Sequence, residues 1–176
     1  MKSTHTALVV PIPGLQDFVA TWRPKVDAVP PVGVPAHVTL LYPFLPPAVG
    51  SERIAEIRTF LATRPSFPYS LDGVDWFDDE VVFVKPLPAD GSMDLTNAIE
   101  EQWRLAPYGG DVEDPVPHVT IGYGGNREAM QRVADAARKV LPIKAQLADE
   151  VWLMQGTPDP THWTRAHRFN LGAARS

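Results

Sequence analysis

The chain of 176 residues carries the same short phrase twice, at matching places in its two halves. The first copy reads PAHVTLLY over residues 35–42, and the second reads VPHVTIGY over residues 116–123. Each copy follows a proline-containing loop, has the apolar and β-branched composition of a strand, and precedes a segment with helical periodicity. Because a repeated segment of this kind is one supersecondary unit given twice, it predicts two similar lobes that pack side by side.

The periodicity of the rest of the chain fits the same order of elements in both halves. In the first half, strands are predicted over residues 7–11, 37–42, 69–77 and 80–85, and helices over 15–22 and 51–61. In the second half, for which 81–85 is the candidate first strand, strands are predicted over 118–123, 145–155 and 162–171, and helices over 95–103 and 126–141. Ser51 and Asn126 are predicted as helix N-caps. Since nothing between the halves resembles a flexible linker, we expect a single α+β domain over residues 1–176, with two lobes of antiparallel sheet and helices related by a pseudo-two-fold axis.

Side chains alternate across a strand, which divides the repeated phrase into two faces. His37 and Thr39 share one face of the first copy, and His118 and Thr120 share one face of the second. The apolar residues between them belong to the cores of the lobes. The two His/Thr faces are therefore expected to meet in the groove between the lobes, where the pseudo-two-fold axis brings two imidazoles and two hydroxyls around one point.

Two imidazoles and two hydroxyls around one point suit phosphoester chemistry. Histidine titrates near neutral pH, so that one ring can serve as the base while the other serves as the acid. Hydroxyl groups can donate hydrogen bonds to the phosphoryl oxygens, where charge develops in the transition state. The sequence thus predicts His37, Thr39, His118 and Thr120 as catalytic residues, and leaves open which histidine is the acid.

A third His-x-Thr tripeptide, residues 162–164, is not followed by a helix, so we expect it to be only part of a strand. A zinc site is the main chemical alternative, but a catalytic zinc ion needs a third protein ligand. The acidic residues that precede His118, namely Asp111, Glu113 and Asp114, are typical of a solvated loop. The chain has no cysteine, which excludes thiolate ligands, disulfides and a cysteine nucleophile. P-loop, dinucleotide-binding and serine-hydrolase motifs are also absent from the sequence.

With its duplicated His-x-Thr phrase and its bilobal order of elements, the chain resembles the two-histidine phosphoesterase superfamily, which includes the 2′-5′ RNA ligase-like and cyclic phosphodiesterase proteins. The segment HVTLLYPF, residues 37–44, is especially similar to the bacterial 2′-5′ RNA ligase-like branch. The resemblance implies a catalytic pair, His37 and His118, and a phosphate-positioning pair, Thr39 and Thr120. It also implies action without a metal ion or cofactor on 2′,3′-cyclic or related cyclic phosphates, 2′-5′ linkages or RNA ends.

We therefore expect a metal-independent phosphoesterase that hydrolyses a cyclic phosphodiester on a nucleotide or RNA end. Ligation, in which a cyclic phosphate end is joined to a 5′-hydroxyl, is the alternative within the same chemistry. A non-catalytic nucleotide- or RNA-binding module is the alternative from another class, although the presence of both histidines and both threonines argues against a decayed site.

Aromatic and cationic residues near the predicted groove are candidates for substrate binding. Trp163 and Arg165 share one face of the last strand, where they would offer a stacking surface and a cation to a nucleotide. Phe44, just past the first phrase, is a further candidate for the lining of the groove. By simple alternation along their strands, Tyr42 and Tyr123 are predicted to lie in the core.

The charge balance limits the class of partner. Sixteen Lys and Arg residues against 21 Asp and Glu give a net charge of −5, which argues against a long nucleic acid, because such a partner usually requires a basic surface. The apolar run over residues 7–10 is cut by prolines and is too short for a signal peptide or a membrane span. We expect a cytoplasmic monomer whose partner is a nucleotide or RNA end.

Overall fold

The computed structural model describes residues 3–112, 115–158 and 161–174. Strands and helices alternate along these residues in the order β1 (His5–Pro11), α1 (Gln16–Val26), β2 (His37–Leu41), α2 (Ser51–Ala62), β3 (Phe67–Phe77), β4 (Val81–Leu87), α3 (Asp90–Trp103), β5 (Val119–Tyr123), α4 (Arg127–Val140), β6 (Ile143–Ala148), β7 (Glu150–Pro158) and β8 (Thr161–Asn170).

The strands form two antiparallel four-stranded sheets, which confirms the predicted α+β fold with two lobes. The first sheet has the order β2-β1-β7-β8, and the second has the order β5-β4-β3-β6. The assignment of strands to lobes differs from the prediction. The β3–β4 hairpin, predicted to close the first half, lies in the second sheet, while β7 and β8 return to the first sheet. Each lobe is thus built from both halves of the sequence, because β4 pairs with β5 and the second edge of β1 pairs with β7.

The predicted helices and strands agree with the structure in most places. They differ at one helix N-cap and at one break between two strands. Asn126 caps α4, since its side chain accepts a hydrogen bond of 2.9 Å from the backbone N–H of Ala129. Ser51 is the first residue of α2 and not its cap. The predicted strand 145–155 is two strands, β6 and β7, which end and begin on either side of Asp149.

One contiguous apolar core joins the inner faces of both sheets to the helices. Val38 of β2 and Val119 of β5 both belong to it, so each repeated phrase anchors its strand in the core through the residue between its histidine and its threonine. Burial of side chains of this size stabilises the fold by about 1.5–3 kcal/mol each. Within the described parts of the chain, no helix is long and apolar enough to cross a membrane.

Candidate active site

The strands that carry the repeated phrases face each other across a groove between the two sheets. The groove contains a central cavity of about 320 Å³, whose lining includes His37, Thr39 and Thr120. An adjoining cavity of about 560 Å³ is lined by Thr39 and His118. The four residues predicted from the repeat are thus brought around one groove, in which Thr39 borders both cavities.

Both strands of the repeated phrase contain a bulge directly after the threonine. The extra residue is Leu40 in β2 and Ile121 in β5, and it shifts the alternation of side chains by one position. The register pairs that bracket the extra residues are Val9–Thr39 and Leu8–Leu41 in the first sheet, and Phe83–Thr120 and Val82–Gly122 in the second.

The bulges explain why the predicted positions of two tyrosines are wrong. Leu41 is buried in the core instead of facing the groove, and a side chain on Gly122 would touch Met130 of α4. The next residues, Tyr42 and Tyr123, consequently turn to the other face and line the central cavity, with Tyr123 50% exposed. Simple alternation placed both tyrosines in the core because it cannot anticipate an inserted residue.

The rings of His37 and His118 are each held by a hydrogen bond of the same kind, to the carbonyl two residues earlier in the chain. The Nδ1 of His37 lies 2.8 Å from the carbonyl oxygen of Pro35, and the Nδ1 of His118 lies 2.7 Å from that of Val116. Because a carbonyl oxygen can only accept, Nδ1 must carry the proton in both rings. Each neutral ring therefore presents Nε2 as a base, and each protonated ring presents Nε2–H as an acid.

The surroundings of the two rings disfavour their charged forms. Burial lowers the pKa of His37 to about 4, and the neighbouring charges of Arg23 and His118 contribute to the same direction. Burial also lowers the pKa of His118, whose ring packs edge-on against Phe77 and Phe83 at centroid distances of 4.8 and 5.4 Å. Without a bound anion, both rings are neutral at pH 7.

A half-buried histidine that stays neutral makes the fold sensitive to acid. The unfolded chain binds a proton at the ordinary pKa of about 6.5, whereas folded His37 resists protonation until about pH 4. The stability that His37 contributes is therefore full above pH 6.5 and falls by at most roughly 3 kcal/mol as the pH drops to 4. We predict that His37→Gln loses less free energy of unfolding between pH 7 and 4 than the wild type does, as measured by urea denaturation. The matched control, His162→Gln on the exposed part of β8, should follow the wild type, and an equal loss in all three proteins would contradict the prediction.

Trp163 lies where the sequence analysis expected a groove residue, at the wall of the central cavity. Its backbone N–H donates a hydrogen bond of 2.9 Å to the carbonyl of Val32, in the loop that leads to His37. Gly33 in this loop has a φ of +75°, and a Cβ there would lie 1.9 Å from the carbonyl oxygen of Trp163. Only glycine accommodates both the backbone conformation and the close approach that fix Trp163 beside the loop.

The other two predicted substrate-binding residues lie away from the central cavity. Phe44 is 5% exposed and packs edge-on against Trp103 in the core, because the chain turns inward after Tyr42 and the backbone N–H of Phe44 donates to the carbonyl oxygen of Thr6. The guanidinium of Arg165 stacks over the ring of Trp152 at 4.4 Å, and Arg165 does not line the cavity.

Two residues of the site were missed by the sequence analysis. Tyr108, in the loop after α3, lines both cavities, and its backbone N–H donates to the carbonyl of Tyr42. Burial raises the pKa of Tyr108, while its interaction with the Thr39 hydroxyl opposes the rise. Arg23, in the last turn of α1, lines the central cavity. No motif marks either residue, since both reach the site only through the packing of distant segments.

The alternative sites considered from the sequence do not gather at the groove. His162 of the third His-x-Thr tripeptide is exposed on β8. Asp111 is also exposed, while Glu113 and Asp114 lie outside the described residues. Among the residues that the structure describes, no group of three His, Asp or Glu side chains is arranged to hold a metal ion.

Crystal structures of known proteins share this fold over nearly its whole length. E. coli LigT in apo form is 19% identical with a TM-score of 0.60, over 98% of this chain and 99% of LigT. LigT complexed with 3′-AMP is 21% identical with a TM-score of 0.60, over 97% of this chain and 99% of LigT. TT0787 of Thermus thermophilus is 18% identical with a TM-score of 0.61, over 97% of this chain and 100% of TT0787. At these identities the similarity is one of fold.

The sequence itself matches a family model over most of its length. No curated protein matches this chain. The model of the 2′-5′ RNA ligase superfamily, however, matches residues 11–160, a range that contains both repeated phrases. This match confirms the resemblance found from the repeat, and the chain belongs to the 2′-5′ RNA ligase superfamily.

Proposed function

We propose that the protein is a phosphoesterase that hydrolyses a cyclic phosphodiester, 2′,3′-cyclic or related, on a nucleotide or RNA end by two-histidine acid–base catalysis. The observation that carries the proposal is the equivalent setting of the two imidazoles. Each ring donates its Nδ1 proton to the carbonyl two residues before it, and each lines the groove that contains Thr39 and Thr120. Both rings therefore offer the same atom, Nε2, to a phosphate in the groove.

The reaction follows from these groups. A neutral imidazole takes a proton from water through Nε2 as the water oxygen attacks phosphorus. The bond from phosphorus to one ribose oxygen breaks, and the protonated imidazole gives its Nε2 proton to that oxygen. The hydroxyls of Thr39 and Thr120 donate hydrogen bonds to the non-bridging oxygens, whose charge increases in the transition state. The product is a phosphomonoester with a free ribose hydroxyl.

Electrostatics favour His37 as the base and His118 as the acid. The base must be neutral in the free enzyme, and the nearby positive charge of Arg23 opposes the protonation of His37. The lowered pKa of His118 arises from burial, a penalty that a bound anionic phosphate offsets by favouring the imidazolium. A substrate phosphate thus helps to charge the ring that must act as the acid.

The central cavity favours a substrate with a ring to stack. Tyr42, Tyr108, Tyr123 and Trp163 line it, and a nucleobase can stack on aromatic side chains of this kind. LigT, the protein of similar fold, has been crystallised with 3′-AMP, ATP and NADP+, which supports a nucleotide as the ligand here.

A substrate panel tests the proposal. Nucleoside 2′,3′-cyclic phosphates, 2′-5′-linked and 3′-5′-linked dinucleotides, and RNA ends at high concentration are incubated with the wild type, His37→Ala and the control His162→Ala. We expect the wild type and the control to open the cyclic phosphates and His37→Ala to be impaired. Joined RNA ends without hydrolysis would replace the proposal by ligation, and binding without turnover of any substrate would replace it by a binding module.

The proposed reaction predicts that activity survives chelation. Both proton transfers are assigned to imidazoles, and the negative charge on the non-bridging oxygens is stabilised by hydroxyl donors, so no step requires a metal ion. We predict that the rate of cyclic phosphate opening changes less than about twofold after dialysis against EDTA, since removal of an essential metal removes the rate enhancement that the metal provides. Loss of activity with EDTA and its recovery with zinc or manganese would contradict the prediction.

A further inference from the structure

The last turn of α1 holds a buried ion pair beside the site. The Nε of Arg23 donates a hydrogen bond of 2.7 Å to Oδ2 of Asp27. The side chain of Asp27 is fully buried, and that of Arg23 is only 12% exposed. Burial raises the pKa of Asp27, and the charge and hydrogen bond of Arg23 oppose that rise. A buried carboxylate of this kind requires its cationic partner.

The same carboxylate ties α1 to the strand that carries the second repeated phrase. Oδ1 of Asp27 accepts a hydrogen bond of 2.9 Å from the backbone N–H of Tyr123, at the end of β5. The backbone N–H of the next residue, Ala28, donates to the carbonyl oxygen of Tyr123 at 3.0 Å. Arg23 is therefore held in a defined position relative to β5, the strand that carries Thr120.

Arg23 brings an unused set of donors to the central cavity. It lines this cavity together with His37, Thr39 and Thr120, and it is the one Lys or Arg among the described residues that do so. Only its Nε is engaged by Asp27, and its two Nη groups donate to no other residue in the described ranges. A guanidinium with its Nη groups available matches the paired oxygens of a phosphate.

We infer that Arg23 binds the phosphate group of the substrate and that Asp27 is the residue that positions it. The inference rests on the proposed function, because it names a further contact of the same phosphoester ligand. The hydroxyls that line the cavity are uncharged, and both histidines are neutral before the ligand binds. Arg23 then supplies the fixed positive charge that compensates the negative charge of a phosphate monoester or diester.

Phosphate binding without turnover tests the inference. Removal of Arg23 alone would leave the buried carboxylate of Asp27 without its cationic partner, so the test uses the double variant Arg23→Gln/Asp27→Asn, in which an amide pair replaces the ion pair. We expect its affinity for inorganic phosphate and for a nucleoside 3′-monophosphate, measured by calorimetry, to fall roughly 10- to 100-fold, the loss typical of a charge-assisted hydrogen bond. The control Arg165→Gln, whose guanidinium stacks on Trp152 outside the cavity, should bind like the wild type.

A second readout separates binding from a merely structural role. The charge of Arg23 lowers the pKa of His37, so the NMR titration of His37 in the free protein should move to higher pH in the double variant and stay in place in Arg165→Gln. If the double variant does not fold, Arg23→Lys serves instead. It keeps the charge, and its loss of the planar fork should weaken phosphate binding several-fold.

Unchanged phosphate affinity in a folded Arg23 variant would overturn the inference. It would also be overturned if the variant lost as much affinity for the nucleoside without a phosphate as for the nucleoside 3′-monophosphate. A different result would contradict the proposed hydrolysis. If the wild type binds phosphate through Arg23 but opens no cyclic phosphate, the inference stands and the proposed reaction does not.

Discussion

Replacement of His37 or His118 by alanine is expected to lower kcat/KM for a cyclic phosphate by about 10²–10⁴, the usual contribution of a positioned acid or base. The variants should also change the shape of the pH profile. The wild-type rate rises with pH as His37 loses its proton, with a midpoint of about 4, and falls as His118 loses its proton below its ordinary pKa of 6.5. The optimum of kcat/KM therefore lies between these limits, and steady-state rates from pH 3.5 to 8 measure it.

Each histidine variant should remove one side of this profile. His37→Ala removes the rise at low pH, and His118→Ala removes the fall at higher pH. Because Arg23 and the two histidines influence one another, the two midpoints belong to the coupled pair and not to single residues. The control is His162→Ala, in the exposed third tripeptide. A reshaped profile in His162→Ala, with an unchanged one in His118→Ala, would show that the wrong histidine was assigned.

Replacement of Thr39 or Thr120 by valine is expected to lower kcat/KM by up to roughly 10²–10³, the range measured when one donor to a developing oxyanion is removed. Valine keeps the shape of the side chain and removes only the hydroxyl. Since no titrating group is lost, the profile should fall at every pH while its two midpoints remain in place. The measurement is the same pH series with each variant.

Thr164→Val, in the third His-x-Thr tripeptide, is the matched control for the threonines. Its hydroxyl donates to the carbonyl of Gln155 on the neighbouring strand at 3.5 Å and lies exposed on β8. Its rate should equal that of the wild type. An undiminished rate in both Thr39→Val and Thr120→Val would contradict the role of these hydroxyls on the phosphate.

The sequence was sufficient where the structure depends on neighbouring residues. Alternation alone places His37 and Thr39 on the groove face with Val38 in the core, and the same holds for the second phrase. Alternation failed directly after the threonine of each strand, because a bulge depends on the pairing with the neighbouring strand and leaves no signature in the strand itself. Tyr42 and Tyr123 therefore line the cavity, contrary to the prediction.

The rest of the site depends on contacts between distant segments. Arg23 reaches the cavity because Asp27 holds the end of α1 against β5, across 96 positions of the chain from Tyr123. Tyr108 reaches it through a backbone hydrogen bond to Tyr42. Pairing over such separations also decides which sheet receives each strand, so the periodicity of the sequence predicted two antiparallel lobes but not the exchange of β3–β4 and β7–β8 between them.

Two-histidine catalysis is tested most directly by a crystal structure with a nucleoside 2′- or 3′-monophosphate, the product of the proposed reaction. We expect one phosphate in the groove, with Nε2 of His37 and Nε2 of His118 each about 2.6–3.2 Å from oxygens on the same phosphorus atom. The hydroxyls of Thr39 and Thr120 should donate to the remaining oxygens. A phosphate that contacts only one of the two histidines, or that binds outside the groove, would contradict two-histidine catalysis at a single phosphate.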